Sequence, residues 1–78
     1  MTMKTLFHKT TWSQVKAGDV VLVTHDEGEI AEVEVKEVQQ LRQCEDGKER
    51  VVIYHRFRHA TYGIPFEVDG TAYIQSRL

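Results

Sequence analysis

The chain lacks the features that mark several protein classes. It has 78 residues, with only one cysteine and one proline. A single cysteine cannot form an internal disulfide, which excludes a disulfide-stapled secreted domain and a cysteine-rich zinc site and favours a reducing compartment. The longest aliphatic run, Val20-Val21-Leu22-Val23, is far shorter than the roughly 20 residues of a membrane-spanning helix. We therefore expect no membrane partner.

A strong charge of one sign is also missing. Ten Lys and Arg side chains stand against 12 Asp and Glu, for a formal net charge of −2 with neutral histidines. The whole molecule therefore has no general attraction to nucleic acid, so any such binding would need a local basic patch. The N-terminal residues contain no apolar stretch of signal-peptide length, and we expect a cytoplasmic location. The length predicts a single small domain spanning residues 1–78.

Alternating apolar residues predict a chain built mainly from β-strands. Val20–His25 is apolar and β-branched on both parities, which is typical of a central strand covered on both faces. Ile30–Leu41 alternates apolar and charged residues, as a half-buried strand does. The alternation slips at Lys36-Glu37, where a β-bulge would bend the strand and return Val38 to the core side.

The second half of the chain predicts a hairpin followed by two short strands. The Asp46-Gly47 pair favours a two-residue turn, because both central positions of such a turn need positive φ. Arg50–His59 then forms the return strand, and Ala60–Gly63 interrupts it. Ile64–Val68 and Ala72–Leu78 alternate as the last two strands.

One short helical turn is predicted near the start, over Thr11–Gly18. Thr11 and Gln14 have the spacing of a capping box, and Gly18 stands where a left-handed C-terminal residue is wanted. Four or five short antiparallel strands in so small a chain most simply close into a barrel, since a flat sheet would leave hydrophobic edges exposed. We expect a small SH3-like barrel or, as the alternative, an oligonucleotide/oligosaccharide-binding-type barrel.

A resemblance supports this fold. The stretch Trp12-Ser13-Gln14-Val15-Lys16-Ala17-Gly18-Asp19-Val20-Val21 is similar to the helical turn, Gly-Asp pair and aliphatic strand that open many such barrels. The whole chain resembles the short SH3-like barrel proteins of bacterial viruses. That resemblance implies a virus-encoded protein working in the cytoplasm of the host cell.

The return strand carries the first candidate binding surface. No acidic residue lies between Arg50 and Phe66, and aromatic rings beside guanidinium groups suit base stacking and phosphate contact. The candidate residues for nucleic acid or another partner are Arg50, Tyr54, Arg56, Arg58 and Tyr62. To these we add Tyr73, because Tyr and Arg are enriched at interface hot spots.

The same arginines could instead be neutralised within the sheet. A two-residue turn at 46–47 would set Glu37 opposite Arg56, and the bulge would set Glu34 opposite Arg58. Opposite charges in such positions stabilise a sheet by roughly 0.2–1 kcal/mol each.

A second candidate surface is acidic. Regularly spaced carboxylates on a turn and the following strand can dock on a basic host surface or imitate the phosphates of nucleic acid. The candidate docking residues are Asp26, Glu27, Glu29, Glu32 and Glu34. The alternative is an ordinary solvated strand face.

Metal and catalytic chemistry find little support in the sequence. His55 and His59 share a strand face but stand roughly 13 Å apart at about 3.3 Å per residue, too far for one metal ion. We expect His55 to be partly buried with one nitrogen bonded to the backbone, whereas His8 or His25 could complete a cluster that the sequence does not reveal. Cys44 lies beside the predicted turn, next to Glu45 and Asp46, whose negative charges would raise its pKa and weaken it as a nucleophile. We expect no catalytic residue, metal or cofactor.

Three functions remain open at this point. The leading hypothesis is a non-catalytic binding module that engages a host protein through one barrel face, with inhibition of that protein as one consequence. The first alternative is a nucleic-acid-binding barrel that uses the Arg50–Arg58 strand, and the second is a small-ligand or nucleotide-sequestering homo-oligomer. The only enzymatic alternative is a small ribonuclease-like toxin, because the Gly18-Asp19 pair before an aliphatic strand resembles the start of such barrel toxins.

Overall fold

Six β-strands dominate the computed structural model of the chain, which describes residues 6–25, 28–42 and 45–75. Their order across one antiparallel sheet is β1-β6-β2-β3-β4-β5. The strands are β1 (Phe7–Thr11), β2 (Val20–Thr24), β3 (Ile30–Leu41), β4 (Arg50–Phe57), β5 (Ala60–Glu67) and β6 (Thr71–Gln75), with a 3₁₀ helix at Trp12–Gln14. The prediction of a mainly β fold is confirmed.

The strand count and the closure differ from the prediction. The sheet has six strands instead of four or five, and it is not closed into a barrel, so the SH3-like or oligonucleotide-binding-type barrel is not confirmed. The additional strand is β1, which pairs with β6 from Phe7↔Gln75 to Thr11↔Thr71. β1 has only one strongly apolar residue, so its sequence shows no apolar alternation from which a strand could be predicted.

The predicted bulge in β3 is confirmed. Val35 pairs with His55 and Glu37 with Tyr54, so Lys36 has no counterpart on β4. The first half of β3 pairs with β2 and the second half with β4, and the bulge marks the change of partner. Val38, beyond the bulge, packs against the core as expected.

The predicted two-residue turn is in the wrong hairpin. β3 and β4 are joined by residues 42–49, and Leu41 pairs with Arg50. The tight turn joins β4 to β5 instead, where Arg58 and His59 have φ values of 49° and 69° between the paired Phe57 and Ala60. Two consecutive positive φ angles are the requirement of a type I′ turn, and here Arg-His meets it without the usual Asn-Gly or Asp-Gly.

The predicted helical turn is shorter than expected and is held by different bonds. Thr11 makes no side-chain cap, and its hydroxyl is hydrogen-bonded to the Ser13 hydroxyl at 2.8 Å. The backbone N–H of Trp12 donates to the carbonyl oxygen of Gly70 at 3.1 Å, which ties the 3₁₀ helix to the turn before β6. Gly18 has a φ of 95°, the left-handed conformation predicted for it.

The inward faces of four strands and the 3₁₀ helix form one core. Its apolar members are Trp12, Val15, Val21, Val23, Val33, Val35, Val51, Ile53, Ala72 and Ile74. His55 is the one polar side chain buried with them among the described residues. No helix in the described part of the chain has the length and apolar character needed to cross a membrane.

Candidate functional site

The predicted basic strand does not present a continuous row of free cations. Arg50 forms an ion pair with Asp46, whose pKa falls from 3.8 to about 2, chiefly because of the Arg50 hydrogen bond and also because of the Lys48 backbone N–H. Arg58 lies in the β4–β5 turn and binds both carboxylate oxygens of Glu29, at 2.6 and 2.7 Å. Arg56 is exposed and has no ion-pair partner in the part of the chain that the structure describes.

The predicted cross-strand ion pairs are wrong because the hairpin register differs by two residues. Glu37 lies opposite Tyr54 and not opposite Arg56. Glu34 binds Lys36 on its own strand, with 2.6 Å between Oε1 and Nζ, and its register partner is Val20 on β2. The arginines are still partly neutralised, but by acidic groups that the sequence reasoning did not choose.

Tyr54 is committed to the sheet. Its ring lies over Gly63 on β5, so closely that a Cβ on Gly63 would stand 2.7 Å from Cε1 of the ring. Its hydroxyl donates a 2.8 Å hydrogen bond to Oε1 of Gln39 on β3. Tyr54 thus contacts three strands, and the backbone of Gly63 covers one face of its ring. Only the other face of the ring could stack on a nucleic-acid base.

The acidic candidates separate into different environments. Asp26 and Glu27 lie outside the described residues. Glu29 is held by Arg58, whereas Glu32 and Glu34 point away from the core on β3. Of these, Glu32 has no ion-pair partner among the described residues and remains available to one outside the molecule.

The outer face of β1, β6, β2 and β3 gathers exposed apolar side chains. Register sets Lys9 against Tyr73 and Leu22 against Glu32, and the Val21↔Ile74 pair sets Leu22 beside Tyr73. The next row contains Thr11, Thr71, Thr24 and Ile30. We call this surface the docking face, defined by Lys9, Leu22, Thr24, Ile30, Glu32, Thr71 and Tyr73.

An open cleft borders the docking face and is also lined from the core side by Trp12, Val23 and Phe66. It encloses about 370 Å³ and is lined by Trp12, Leu22, Val23, Thr24, Ile30, Phe66, Thr71 and Tyr73. The rings of Trp12 and Phe66 are stacked 3.8 Å apart at 14°, which gives the cleft a rigid aromatic side. Ile30 is 67% exposed and Tyr73 is 44% exposed. This volume is within the range of small-ligand and peptide pockets.

A second cluster lies where the β2 end meets the β4–β5 hairpin. Nε2 of His25 and Nε2 of His55 are 3.1 Å apart, and His25 stacks on Phe57 with ring centroids separated by 4.0 Å. Tyr62 contacts both histidines. No group of three potential metal ligands occurs among the described residues.

His55 differs from its predicted environment. It is fully buried where we expected partial burial, and its Nε2 lies 3.1 Å from Nε2 of His25, a side-chain partner that we did not predict. Burial lowers its pKa below the ordinary 6.5, the backbone of Ile53 acts in the opposite direction, and nearby His25 lowers it further. The position of His55 on the inward-facing side of its strand could have indicated that it is buried. Nothing local in the sequence indicates a partner 30 residues away.

Comparison with protein-family models, curated proteins and solved structures found no match to this chain. The function of the chain must therefore be inferred from its own geometry.

Proposed function

We propose that the chain is a non-catalytic binding module that takes a protein partner on its docking face. The observation that carries the proposal is that Ile30 and Tyr73 are exposed on the solvent side of the sheet, where together with Leu22 they border the open cleft. The solvent side of an antiparallel sheet is ordinarily polar. Contiguous apolar surface on a small protein is typical of an interaction site.

The charges around the cleft indicate the chemistry of the partner. Glu32 lies directly opposite Leu22 on one side, and Lys9 lies opposite Tyr73 on the other. A partner segment with an aliphatic or aromatic anchor beside a lysine or arginine would fill the cleft and pair with Glu32. We therefore favour an apolar and basic protein surface over an acidic one or a nucleic acid.

The nucleic-acid alternative has weaker support. Arg50 and Arg58 already bind carboxylates, and Tyr54 lies against Gly63. Arg56 remains as the exposed cation of that strand. One free guanidinium beside a half-occupied ring would give little phosphate neutralisation, and hence little affinity at physiological salt.

The proposal includes an SH3-like arrangement and a cytoplasmic setting. In support of this arrangement, β2, β3 and β4 each pair with the next strand along the chain. β6 then pairs with β2, which gives the order β6-β2-β3-β4-β5. The sharp change of partner along β3 at Lys36 favours the same arrangement. The resemblance to small barrel proteins of bacterial viruses adds that the partner is a protein of the host cell.

The test is affinity capture with matched tyrosine variants. Tagged wild-type protein, Tyr73→Ala, Glu32→Lys and Tyr62→Ala are incubated with nuclease-treated bacterial lysate, and the captured proteins are identified by mass spectrometry. Tyr62 is the control because its side chain is 39% exposed, an exposed fraction close to that of Tyr73. It lies on β5 and does not line the cleft. The captured protein is then purified and its Kd measured with each variant.

We expect Tyr73→Ala to weaken binding by roughly 30-fold or more, as loss of a hot-spot residue of about 2 kcal/mol does. Glu32→Lys should weaken partner binding further, and the Kd should then depend more strongly on salt concentration. Tyr62→Ala should keep the wild-type Kd. Equal binding by Tyr73→Ala and the wild type would contradict the proposal. Capture that disappears after nuclease treatment would favour nucleic acid. A concentration-dependent dimer abolished by Tyr73→Ala, seen by sedimentation, would assign the docking face to a second copy of the chain.

A further inference from the structure

We propose that His25 and His55 form a proton-operated latch that holds the β4–β5 hairpin turn against the β2–β3 turn at neutral pH and releases it under mild acid. His25 directly follows β2 and His55 lies on β4, two strands that are not neighbours in the sheet, and the Nε2 atoms of the two rings are 3.1 Å apart. A hydrogen bond between two imidazole nitrogens needs one proton, donated by one ring and accepted by the other. When both rings are protonated, neither nitrogen can accept, and two like charges face each other.

The surroundings of the pair offer little compensation for added charge. His55 is fully buried, and its register neighbours are Val35 on β3 and Tyr62 on β5. On the other ring, Phe57 stacks at 4.0 Å and Tyr62 approaches edge-on at 5.1 Å. The burial of His55 lowers its pKa and so favours its neutral form.

The charged groups facing the pair already neutralise each other. Glu29, from the β2–β3 turn, is bound by both of its oxygens to Arg58 in the β4–β5 turn. The Arg58 guanidinium lies 4.9 Å above the ring of Phe57, so a doubly protonated pair would stand near a third cation. Among the described residues, the ring of Tyr62 also lies against both histidines.

Among the described residues two links therefore join this region, and one of them is part-buried. The His25–His55 bond is the inner link, and the exposed Glu29–Arg58 ion pair is the outer one. An exposed ion pair alone contributes little to stability, so loss of the inner link should open the junction. Movement of His25 would be transmitted to Glu29, because the backbone N–H of His25 donates to the backbone carbonyl of Glu29 at 2.7 Å.

The pH range follows from the sign of the His55 shift. Its pKa is lowered in the folded protein, mainly by burial, so the closed state binds fewer protons than an open state with an ordinary pKa of 6.5. Closure is therefore complete at neutral pH and above, and it is lost progressively as the pH falls below 6.5. Because Ile30 follows Glu29 and borders the cleft, opening would also move one wall of the docking face, a consequence that rests on the proposed function.

The test measures the latch without any partner. Histidine ¹⁵N NMR of the wild type at pH 7.5 should report one ring protonated at Nε2 and the other bare at Nε2. Amide hydrogen exchange at residues 28–30 and 57–60, corrected for intrinsic rates, should accelerate at least tenfold between pH 7.5 and pH 5. His59→Gln, in the exposed turn, is the matched control and should keep this response, whereas His25→Phe should abolish it.

Two results would overturn the latch. The first is an NMR spectrum in which both rings carry their proton on Nδ1, since neither Nε2 could then donate. The second is an acid response of the two turns that persists in His25→Phe. If His25→Phe does not fold, the wild-type tautomers and the wild-type exchange profile decide the matter, and uniform exchange across all strands would contradict local opening. A failed docking-face test leaves these measurements unaffected.

Discussion

The contact between Tyr54 and Gly63 gives a quantitative prediction for a single methyl group. A Cβ on Gly63 would lie 2.7 Å from Cε1 and 3.0 Å from Cδ1 of Tyr54, and 3.1 Å from Cγ1 of Val52. The ring cannot move freely, because its hydroxyl is bound to Gln39 at 2.8 Å. We expect Gly63→Ala to lower the free energy of unfolding by about 1–3 kcal/mol, the usual cost of overpacking. The melting temperature should fall by about 4–8 °C for each kcal/mol.

A double-mutant cycle isolates this contact. Urea denaturation followed by circular dichroism would compare Gly63→Ala in the wild type and in Tyr54→Ala. Without the ring, the added methyl group should be neutral or stabilising by about 0.5–1 kcal/mol, since glycine is unfavourable within a strand. Gly47→Ala is the matched control, because Gly47 has a φ of 75° and nothing within 4 Å of a Cβ. Its cost should be the same in both backgrounds.

An equal cost of Gly63→Ala with and without the Tyr54 ring would refute this reasoning. The packing of Tyr54 on Gly63 would then not be present in solution. Tyr54 would in that case be available as a stacking platform, which would strengthen the nucleic-acid alternative.

Three further predictions concern the core and the ion pairs. Ile53→Ala, at a fully buried position, should lower the free energy of unfolding by about 2–5 kcal/mol in urea denaturation. A loss no larger than that caused by substituting an exposed side chain would contradict the assignment of Ile53 to the core. Glu29→Gln breaks the exposed pair with Arg58 and should cost about 0–1 kcal/mol, with the difference shrinking in high salt. The Asp46 carboxylate, with a pKa of about 2, stabilises the fold above the ordinary 3.8, and this contribution is lost as the pH falls from there towards 2. Carboxyl ¹³C NMR should find this pKa raised in Arg50→Gln, and an unchanged value would contradict the ion pair.

The sequence predicted those features of the fold that depend on local alternation. The bounds of β3, its bulge at Lys36 and the inward face of β4 at Val51 and Ile53 all follow from period-2 patterns. The hairpin register was wrong because Asp46-Gly47 is the strongest turn signal, yet it lies within a longer loop. The real two-residue turn uses Arg58-His59, a pair with little turn preference, so the surrounding sheet must impose its conformation.

The candidate site was predictable only in part. Tyr73 and Glu32 were both named from sequence, but they belong to strands far apart in the chain, and the β6-β2-β3 order that brings them to one face is not a local property. The His25–His55 contact is of the same kind, since it joins residues 30 positions apart. Burial of a histidine can be inferred from parity, whereas its partner depends on how distant strands pack.

The most direct test of the central claim is to map where the captured partner binds. Amide chemical shifts of ¹⁵N-labelled chain would be compared with and without the purified partner protein. The account predicts shifts on the outer face of β6, β2 and β3, centred on Tyr73, Leu22 and Ile30, with loss of the response in Tyr73→Ala. Shifts centred on Tyr54 and Arg56, with the docking face unchanged, would contradict it.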